Sequence, residues 1–526
     1  MGQFTLVYDL GTTACKSVLF DFEGRLIRSI DIEYPTNYAR PGWAEQNPDD
    51  WWKAVVLSTR EILATQGIIP SDIAGISFSG QMEGCILLDS KGQTVRPAII
   101  HLDSRARKEA EWLKQVIGVD KIIEITGNLV DAECTLSKIL WVKNNEPGSF
   151  QKAKIFLSGA KDYIAHRFSG GRAFTDYVDA SISFLFDIRK YEWSDPLLRD
   201  IGITKDNLAE PVPSSTIIGE VSSQASFETG VKVGTPLIMG GGDAGCAAVG
   251  AGCVLKGDTC ANIGSTAWIA TVSDSPLAGK PQGLYNLRHP DPKLFMPIGA
   301  VLSAGHSYRW LREQFGAMEA SMAKVLGMTA YNLMDEEAEV AEPGSDGLIF
   351  LPYLMGERTP YRDHNARGVF FGLSLSHKRQ HVIRAVLEGV AYGLRNVIDT
   401  FEQLGLSISD VRLFGGGTKG LIWQEIMSNI FERKILVPQI VEVTSFGAAI
   451  TCGVGLGIYK DYTTAKKLIR IDRTVVPDTS ISKLYAEYYR IYISLYPILK
   501  EKFAQLAKAR EAAERHGSEI DESQSD

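Results

Sequence analysis

The sequence predicts an α/β protein built as two similar domains facing one cleft. Three observations predict it. The 526 residues exceed what a single core usually holds. Apolar strand-like runs alternate with amphipathic segments from end to end. A heptad also recurs about half a chain apart, as YDLGTTA at residues 8–14 and ANIGSTA at residues 261–267.

Each copy carries a polar residue, Asp9 or Asn262, then an aliphatic residue, a glycine and two hydroxyl residues. The first continues as CKSVLFDFEGRLI, an apolar run ended by a Glu-Gly turn, so it reads as strand, tight turn, strand. Backbone N–H groups of such a turn, with hydroxyls beside them, suit phosphate oxygens. One copy alone reads first as an ordinary hairpin. Two copies imply one anionic ligand gripped by Gly11, Thr12 and Thr13 on one side and Gly264, Ser265 and Thr266 on the other.

Other elements follow in order. Asn47 caps a helix that has Pro48 at its first position, Asp49 and Asp50 in its first turn, then Trp51 and Trp52. IAGISFSG (73–80) reads as a buried strand, and ILLDSKGQTVRPAI as a hairpin turning at Ser90-Lys91-Gly92. TPLIMGGGDAGCAAVGAG (235–252) reads as strand, glycine turn and small-residue helix. A boundary near residues 252–257 falls just before the second hairpin, giving domains 1–253 and 254–500. Residues 382–401 put Ile383, Val386, Leu387, Val390, Leu394, Val397, Ile398 and Phe401 on one core-packing helical face. The extension 501–526 is helical in composition up to about His516, and its last ten residues, GSEIDESQSD, have the composition of a disordered tail.

The totals exclude some functions. A net charge of −8 argues against general nucleic-acid binding but leaves small anionic ligands open. The first residues lack a basic segment followed by an apolar core, so no signal peptide is expected. No 18-residue apolar stretch occurs, and AGCAAVGAGCVL reads as core. Seven cysteines without a C-x-x-C pair, Cys246, Cys253 and Cys260 among them, read as reduced thiols of a cytoplasmic protein. No G-x-G-x-x-G follows the first strand, which excludes a dinucleotide-dependent dehydrogenase.

DLGTT (9–13), GWAEQNPDDWW (42–52), TLSKILWVKNN (135–145), LPYLMGERTPYRD (351–363), RGVFFGLSLSHKRQHVIRAVLEG (367–389) and FGGGTKGLIW (414–423) stand in order along the chain. Together they resemble the FGGY family of carbohydrate kinases, its xylulokinase branch most, over roughly residues 4–500. That resemblance implies two actin/hexokinase-like (ribonuclease H-type) ATPase domains flanking a cleft. It also implies ATP and Mg²⁺ as cofactors, a small sugar or polyol as partner, and transfer of phosphate to an alcohol. Dimers are common in the family, so the resemblance also implies a homodimer.

Residue roles follow from the same resemblance. Asp9 orients hydrated Mg²⁺, and Lys16 meets the terminal phosphate, with a solvated strand-end lysine as the alternative. Asp243, between a strand and a helix, is the general base and a second metal-side carboxylate; a plain N-cap is the alternative. Gly415, Gly416 and Gly417, with Thr418 and Lys419, seat the adenosine and α-phosphate. Gly305 and Arg309 lie nearby, and Thr444, Gly447 and Ala448 let the nucleotide lie flat.

The sugar pocket, expected from Gln81, Met82, Glu83, Asp103, Arg105, Glu133 and Asp243, departs from the branch. Xylulokinases usually read Gly-Gln-Met-His-Gly where this chain has GQMEG (80–84), and Trp-Asn-Asp where it has His101-Leu102-Asp103. Glu133 stands where the signature opens on a small or aromatic residue, with a solvent-facing loop residue as the alternative. A carboxylate accepts from two hydroxyls where a neutral imidazole offers one donor and one acceptor, so the substrate is open. Buried, Glu83 and Glu133 need a partner, and bound substrate, Arg105 or a lysine is expected to supply one. D-xylulose or a related pentulose is the expected substrate; another sugar, a polyol or an autoinducer-type ligand is the alternative. A non-catalytic actin- or Hsp70-like nucleotide module is the competing class.

Overall fold

The computed structural model describes residues 2–277 and 283–523. Two mixed sheets organise the chain. The first contains β1 (Phe4–Leu10), β2 (Ala14–Asp21), β3 (Leu26–Glu33), β4 (Ile73–Gly80), β5 (Ile217–Glu220) and β6 (Pro236–Gly242), in the order β5-β6-β4-β1-β2-β3. The second contains β7 (Thr259–Ile263), β8 (Ala267–Thr271), β9 (Tyr285–Arg288), β10 (Phe295–Val301), β11 (Val411–Phe414), β12 (Ile435–Pro438) and β13 (Ile471–Val475). Its order is β9-β10-β8-β7-β11-β12-β13.

The pairing is duplicated. β1 runs antiparallel to β2, β2 antiparallel to β3, β1 parallel to β4 and β4 parallel to β6. In the second lobe β7 runs antiparallel to β8, β8 antiparallel to β10, β7 parallel to β11 and β11 parallel to β12. The two heptads therefore turn the first hairpin of each lobe. β1 and β6 read as near-continuous apolar runs because helices cover both faces of their sheet.

The helices that matter below are α1 (Pro48–Leu63), α2 (Thr135–Asn145), α3 (Asp243–Gly250), α4 (Gly305–Phe315), α5 (Arg379–Gln403), α6 (Leu421–Phe431), α7 (Val443–Gly455) and α8 (Thr479–Ser523). Asn47 caps α1 through the Asp49 N–H at 3.1 Å, with Pro48 at the first position. All eight apolar residues expected on one face of α5 are buried in the second lobe's core.

α3 and α7 follow equivalent strands in the two lobes and pack backbone to backbone. A Cβ at Gly447 would lie 1.8 Å from the Cys246 carbonyl oxygen, and one at Gly250 would lie 1.8 Å from that of Val443. Gly447 and Ala448 are thus taken up by the lobe–lobe contact, a correction to their expected place beside the nucleotide. The reason is that α7 turns its small-residue face to α3.

α8 is one helix from Thr479 to Ser523, so seven of the ten tail residues expected to be disordered have helical backbone. Elongation adds one hydrogen bond per residue once a helix is nucleated, and composition alone misses that. Gln524, Ser525 and Asp526 lie outside the described residues. All seven cysteines are buried and free, and no described helix is long and apolar enough to cross a membrane.

Candidate active site

The first hairpin is tied to the core by Gln46 and by Tyr34, whose hydroxyl donates to the Ala14 carbonyl at 3.1 Å. Gly11 N–H donates to the Ala14 carbonyl at 3.0 Å, and Gln46 Nε2 donates to the Thr12 carbonyl at 2.6 Å and to Thr36 Oγ1 at 2.7 Å. Gln46 Oε1 accepts from Trp51 Nε1 at 3.0 Å and from Gln81 Nε2 at 2.8 Å, while Gln81 Oε1 meets His101 Nδ1 at 3.1 Å. An uninterrupted polar chain thus joins the phosphate turn to the residues behind it. Sequence reading gave Gln46 no role, although it sits inside GWAEQNPDDWW.

Asp9 near the end of β1 and Asp243 at the start of α3 stand at the carboxyl ends of parallel strands, where open α/β sheets place their ligands. Burial pushes the Asp9 carboxyl up to about 6, against the pull of Lys16. Asp243 is open to the cleft but ringed by protein, and desolvation together with the Asp9 charge pushes it up to about 7. Its Oδ1 accepts from Ala244 N–H at 2.7 Å. Met82 backs the site, because a Cβ at Gly242 would lie 2.6 Å from its sulfur. Two mutually repelling carboxylates fit a hydrated divalent cation, which keeps most of its waters and takes only one or two protein oxygens. Among the described residues no cluster of three or more His, Cys, Asp or Glu forms a closed metal cage.

On the second lobe three glycine segments converge. Gly264 N–H donates to the Thr266 carbonyl at 2.9 Å, and α4 docks through Gly305 N–H to Gly264 at 3.0 Å and His306 N–H to Ser265 at 2.9 Å. Gly415 has φ +98°, and a Cβ there would lie 2.3 Å from Asn262 Oδ1. Only glycine admits that approach. Thr418 Oγ1 donates to the Gly415 carbonyl at 2.8 Å; Gly415, Gly416, Lys419 and Arg309 are exposed. The structure therefore brings together Gly264, Ser265, Gly305 and Gly415. Lys16 is placed otherwise: its Nζ bonds Glu442 Oε2 of the opposite lobe at 2.5 Å.

Asp103 and Arg105 need correcting. Their side chains are 0% and 1% exposed and form a bidentate pair, with Arg105 Nη2 2.6 Å and Nε 2.9 Å from Asp103 oxygens. Arg105 also pairs with Glu45 at 2.8 Å and lies 3.6 Å from the centre of the Trp43 ring. Both are spent on the pocket wall. The cations near Glu83 come instead from Lys138 and Arg358. Lys138 on α2 donates to the carbonyls of Glu83 at 2.7 Å and Ile100 at 2.9 Å.

Glu83 is half-buried, and desolvation plus the Asp131 charge pushes its carboxyl up to about 8, against Arg358 and Lys138. Glu133 is also half-buried, and its charge reaches Glu83, Arg358 and Arg362. Asp131 accepts from Tyr285 OH at 2.7 Å and pairs with Arg362, linking the two lobes beside Glu83. Asp131, Lys138, Tyr285, Arg358 and Arg362 carried no assignment from the sequence. Two arginines four apart in LPYLMGERTPYRD, Arg358 and Arg362, were the available signal for that pair.

A fold in which both lobes repeat one five-strand order, each turning a glycine hairpin into the cleft, is that of the actin/hexokinase-type phosphotransferases. Two family models match: "FGGY family of carbohydrate kinases, N-terminal domain" over residues 4–250, and its "C-terminal domain" over residues 261–456. The chain belongs to the FGGY family of carbohydrate kinases and is a sugar phosphotransferase. Kinases of this family use ATP and typically a divalent metal. A xylulose kinase of Bacillus subtilis is 31% identical over 500 residues, covering 95% of this chain and 98% of the relative. A gluconokinase of the same organism is 31% identical over 508 residues, covering 96% and 98%. A solved xylulose kinase from Lactobacillus acidophilus superposes with a TM-score of 0.88 at 25% identity, covering 96% of this chain and 99% of that one.

Proposed function

We propose that this enzyme transfers the γ-phosphate of ATP, with Mg²⁺, to a terminal hydroxyl of an open-chain ketose, D-xylulose or a related pentulose. One observation carries the reading. Asp243 opens α3 at the carboxyl end of β6, exposed and near the Asp9 charge, with its Oδ1 oriented by the Ala244 N–H at 2.7 Å, so its carboxylate is placed to take a proton from a hydroxyl. The relatives named xylulose kinase support the pentulose. The equally similar gluconokinase makes an open-chain sugar acid the second substrate to test.

In this reading Asp243 removes the proton of the attacking hydroxyl, and Gln81, Met82 and Glu83 hold the sugar against it. The N–H groups and hydroxyls of residues 11–13 and 264–266 grip the phosphates from both lobes, with Gly305, Arg309 and Gly415–Lys419 around the nucleoside. Asp9, with Asp243, would hold the hydrated Mg²⁺, which neutralises phosphate charge when bound. Closure of the lobes excludes water that would otherwise hydrolyse ATP. Buried reduced thiols and dependence on ATP support a cytoplasmic setting.

Asp243→Asn tests the assignment. ADP release in the presence of sugar should fall by about 10²- to 10⁴-fold while ATP binding persists. Unchanged turnover refutes Asp243 as the base.

A further inference from the structure

Arg358 and Glu83 bring opposite charges near each other from the two lobes, and among the described residues they form no ion pair with one another. Glu83 has φ +56°, a left-handed conformation strained for any residue but glycine. Lys138 fixes its backbone through the Glu83 carbonyl at 2.7 Å. Its Oε1 is buried and has no hydrogen-bond partner.

Arg358 rises from a loop anchored on the second lobe. Glu357 Oε1 accepts the Arg358 N–H at 2.7 Å, and Thr359 Oγ1 donates to the Gly283 carbonyl at 2.9 Å. The guanidinium lies 5.3 Å from the centre of the Tyr285 ring and, among the described residues, forms no ion pair. Its neighbour Arg362 differs, being held by Asp131 and Tyr285. One arginine of the pair therefore links the lobes, and the other, among the described residues, has no ion-pair partner.

Glu83, Asp131 and Glu133 supply negative charge around the Arg358 guanidinium, but among the described residues no carboxylate comes within ion-pair distance of it, and it offers donors only. Whatever satisfies it must accept. A carbonyl or carboxylate oxygen does so, and charge-assisted bonds to a carboxylate are about twice as strong as neutral ones. The orphaned Glu83 oxygen then meets a hydroxyl further along the same chain.

We propose that Arg358 is a specificity residue of the sugar site. With Glu83 opposite, it grips the carbonyl or carboxylate oxygen at the end of the open-chain substrate remote from the hydroxyl that receives phosphate. The inference rests on reading the surroundings of Glu83 as the sugar site, and it narrows the substrate class. Ketoses and sugar acids are taken; the corresponding alditols are discriminated against, although they keep every other hydroxyl.

The test uses the full-length enzyme with ATP and Mg²⁺ on D-xylulose and D-gluconate, each beside its reduced partner, xylitol or D-glucitol. Wild type should prefer the oxidised member by about ten-fold in kcat/KM or more. Arg358→Met should lose about thirty-fold in kcat/KM on that substrate, chiefly through KM, while KM for ATP stays within about two-fold. Arg358→Lys should recover part of the loss, and the preference over the alditol should collapse in Arg358→Met. Whether D-xylulose or D-gluconate suffers the larger loss identifies the oxygen as carbonyl or carboxylate.

The proposal is overturned if wild type phosphorylates the alditol equally well, or if Arg358→Met weakens oxidised and reduced substrates alike. Should Arg358→Met fail to fold, Arg358→Lys and the wild-type preference still decide. Wild type that phosphorylates nothing in the panel sinks the underlying sugar-site reading instead, before any variant is compared.

Discussion

A single methyl group at Gly447 should disable the enzyme without touching either ligand. An alanine Cβ there would lie 1.8 Å from the Cys246 carbonyl oxygen, 2.6 Å from its carbon and 2.8 Å from the Gly250 nitrogen. All three are backbone atoms, so no side chain can swing away. Real Cβ contacts do not fall below 3.0 Å, so α3 and α7 must separate locally by about 1.2 Å, where helices ordinarily pack 8–10 Å apart. Overpacking of this kind typically costs about 1–3 kcal/mol, and each kcal/mol lowers the melting temperature of a lobe of this size by roughly 2–4 °C. Asp243 opens α3, so the shift reaches the proposed base directly, and a misplacement of about 1 Å can cost roughly 10²-fold in rate. The assay is steady-state ADP release with saturating sugar beside a thermal melt, with Gly148→Ala as control because a Cβ there meets nothing within 4 Å. Wild-type turnover and melting temperature in Gly447→Ala would refute the claim that this contact sets the lobe geometry.

Two further outcomes are expected. Lys16 and Glu442 bond across the lobes with side chains 30% and 21% exposed. Glu442→Gln should therefore lower KM for ATP by freeing the lysine for phosphate, and Lys16→Met should raise it; identical ATP kinetics in both would leave Lys16 without a nucleotide role. Glu83 and Glu357 both have carboxyls raised to about 8, chiefly by burial. A carboxyl raised on folding favours the folded state at low pH, and that advantage is lost as pH climbs through the folded value. The ligand-free enzyme should therefore melt lower at pH 9 than at pH 6, and Glu83→Gln with Glu357→Gln should flatten the slope.

Much of the framework was legible because it is local. The duplicated hairpins, the strand 73–80, the glycine-ended strand before Asp243 and the Asn47 cap are all written within a dozen residues of themselves. Asp9 and Asp243 were legible as the ends of such strands. What stayed hidden depends on distant encounters. Arg105 looked available until Trp43, Glu45 and Asp103 enclosed it. Lys16 looked free until Glu442 met it from the other lobe. The Arg358 charge is felt at Glu83 only because the second lobe folds against the first, and no spacing in the chain encodes that. Gly447 was misread because a glycine suited to flat ligands is equally suited to a helix backbone, and only the fold says which one approaches.

Seven free, buried thiols also make the folded enzyme poorly reactive toward alkylating reagents. Cys246 and Cys452 lie on the two helices that join the lobes, Cys15 lies in the first sheet, and Cys260 lies in the second. Each sulfur therefore becomes a timestamp. In a pulse of maleimide, the order in which the cysteines acquire mass would record whether the molecule parts first along its seam or unravels one half at a time. A bound nucleotide that braces the seam should delay those two marks before any others.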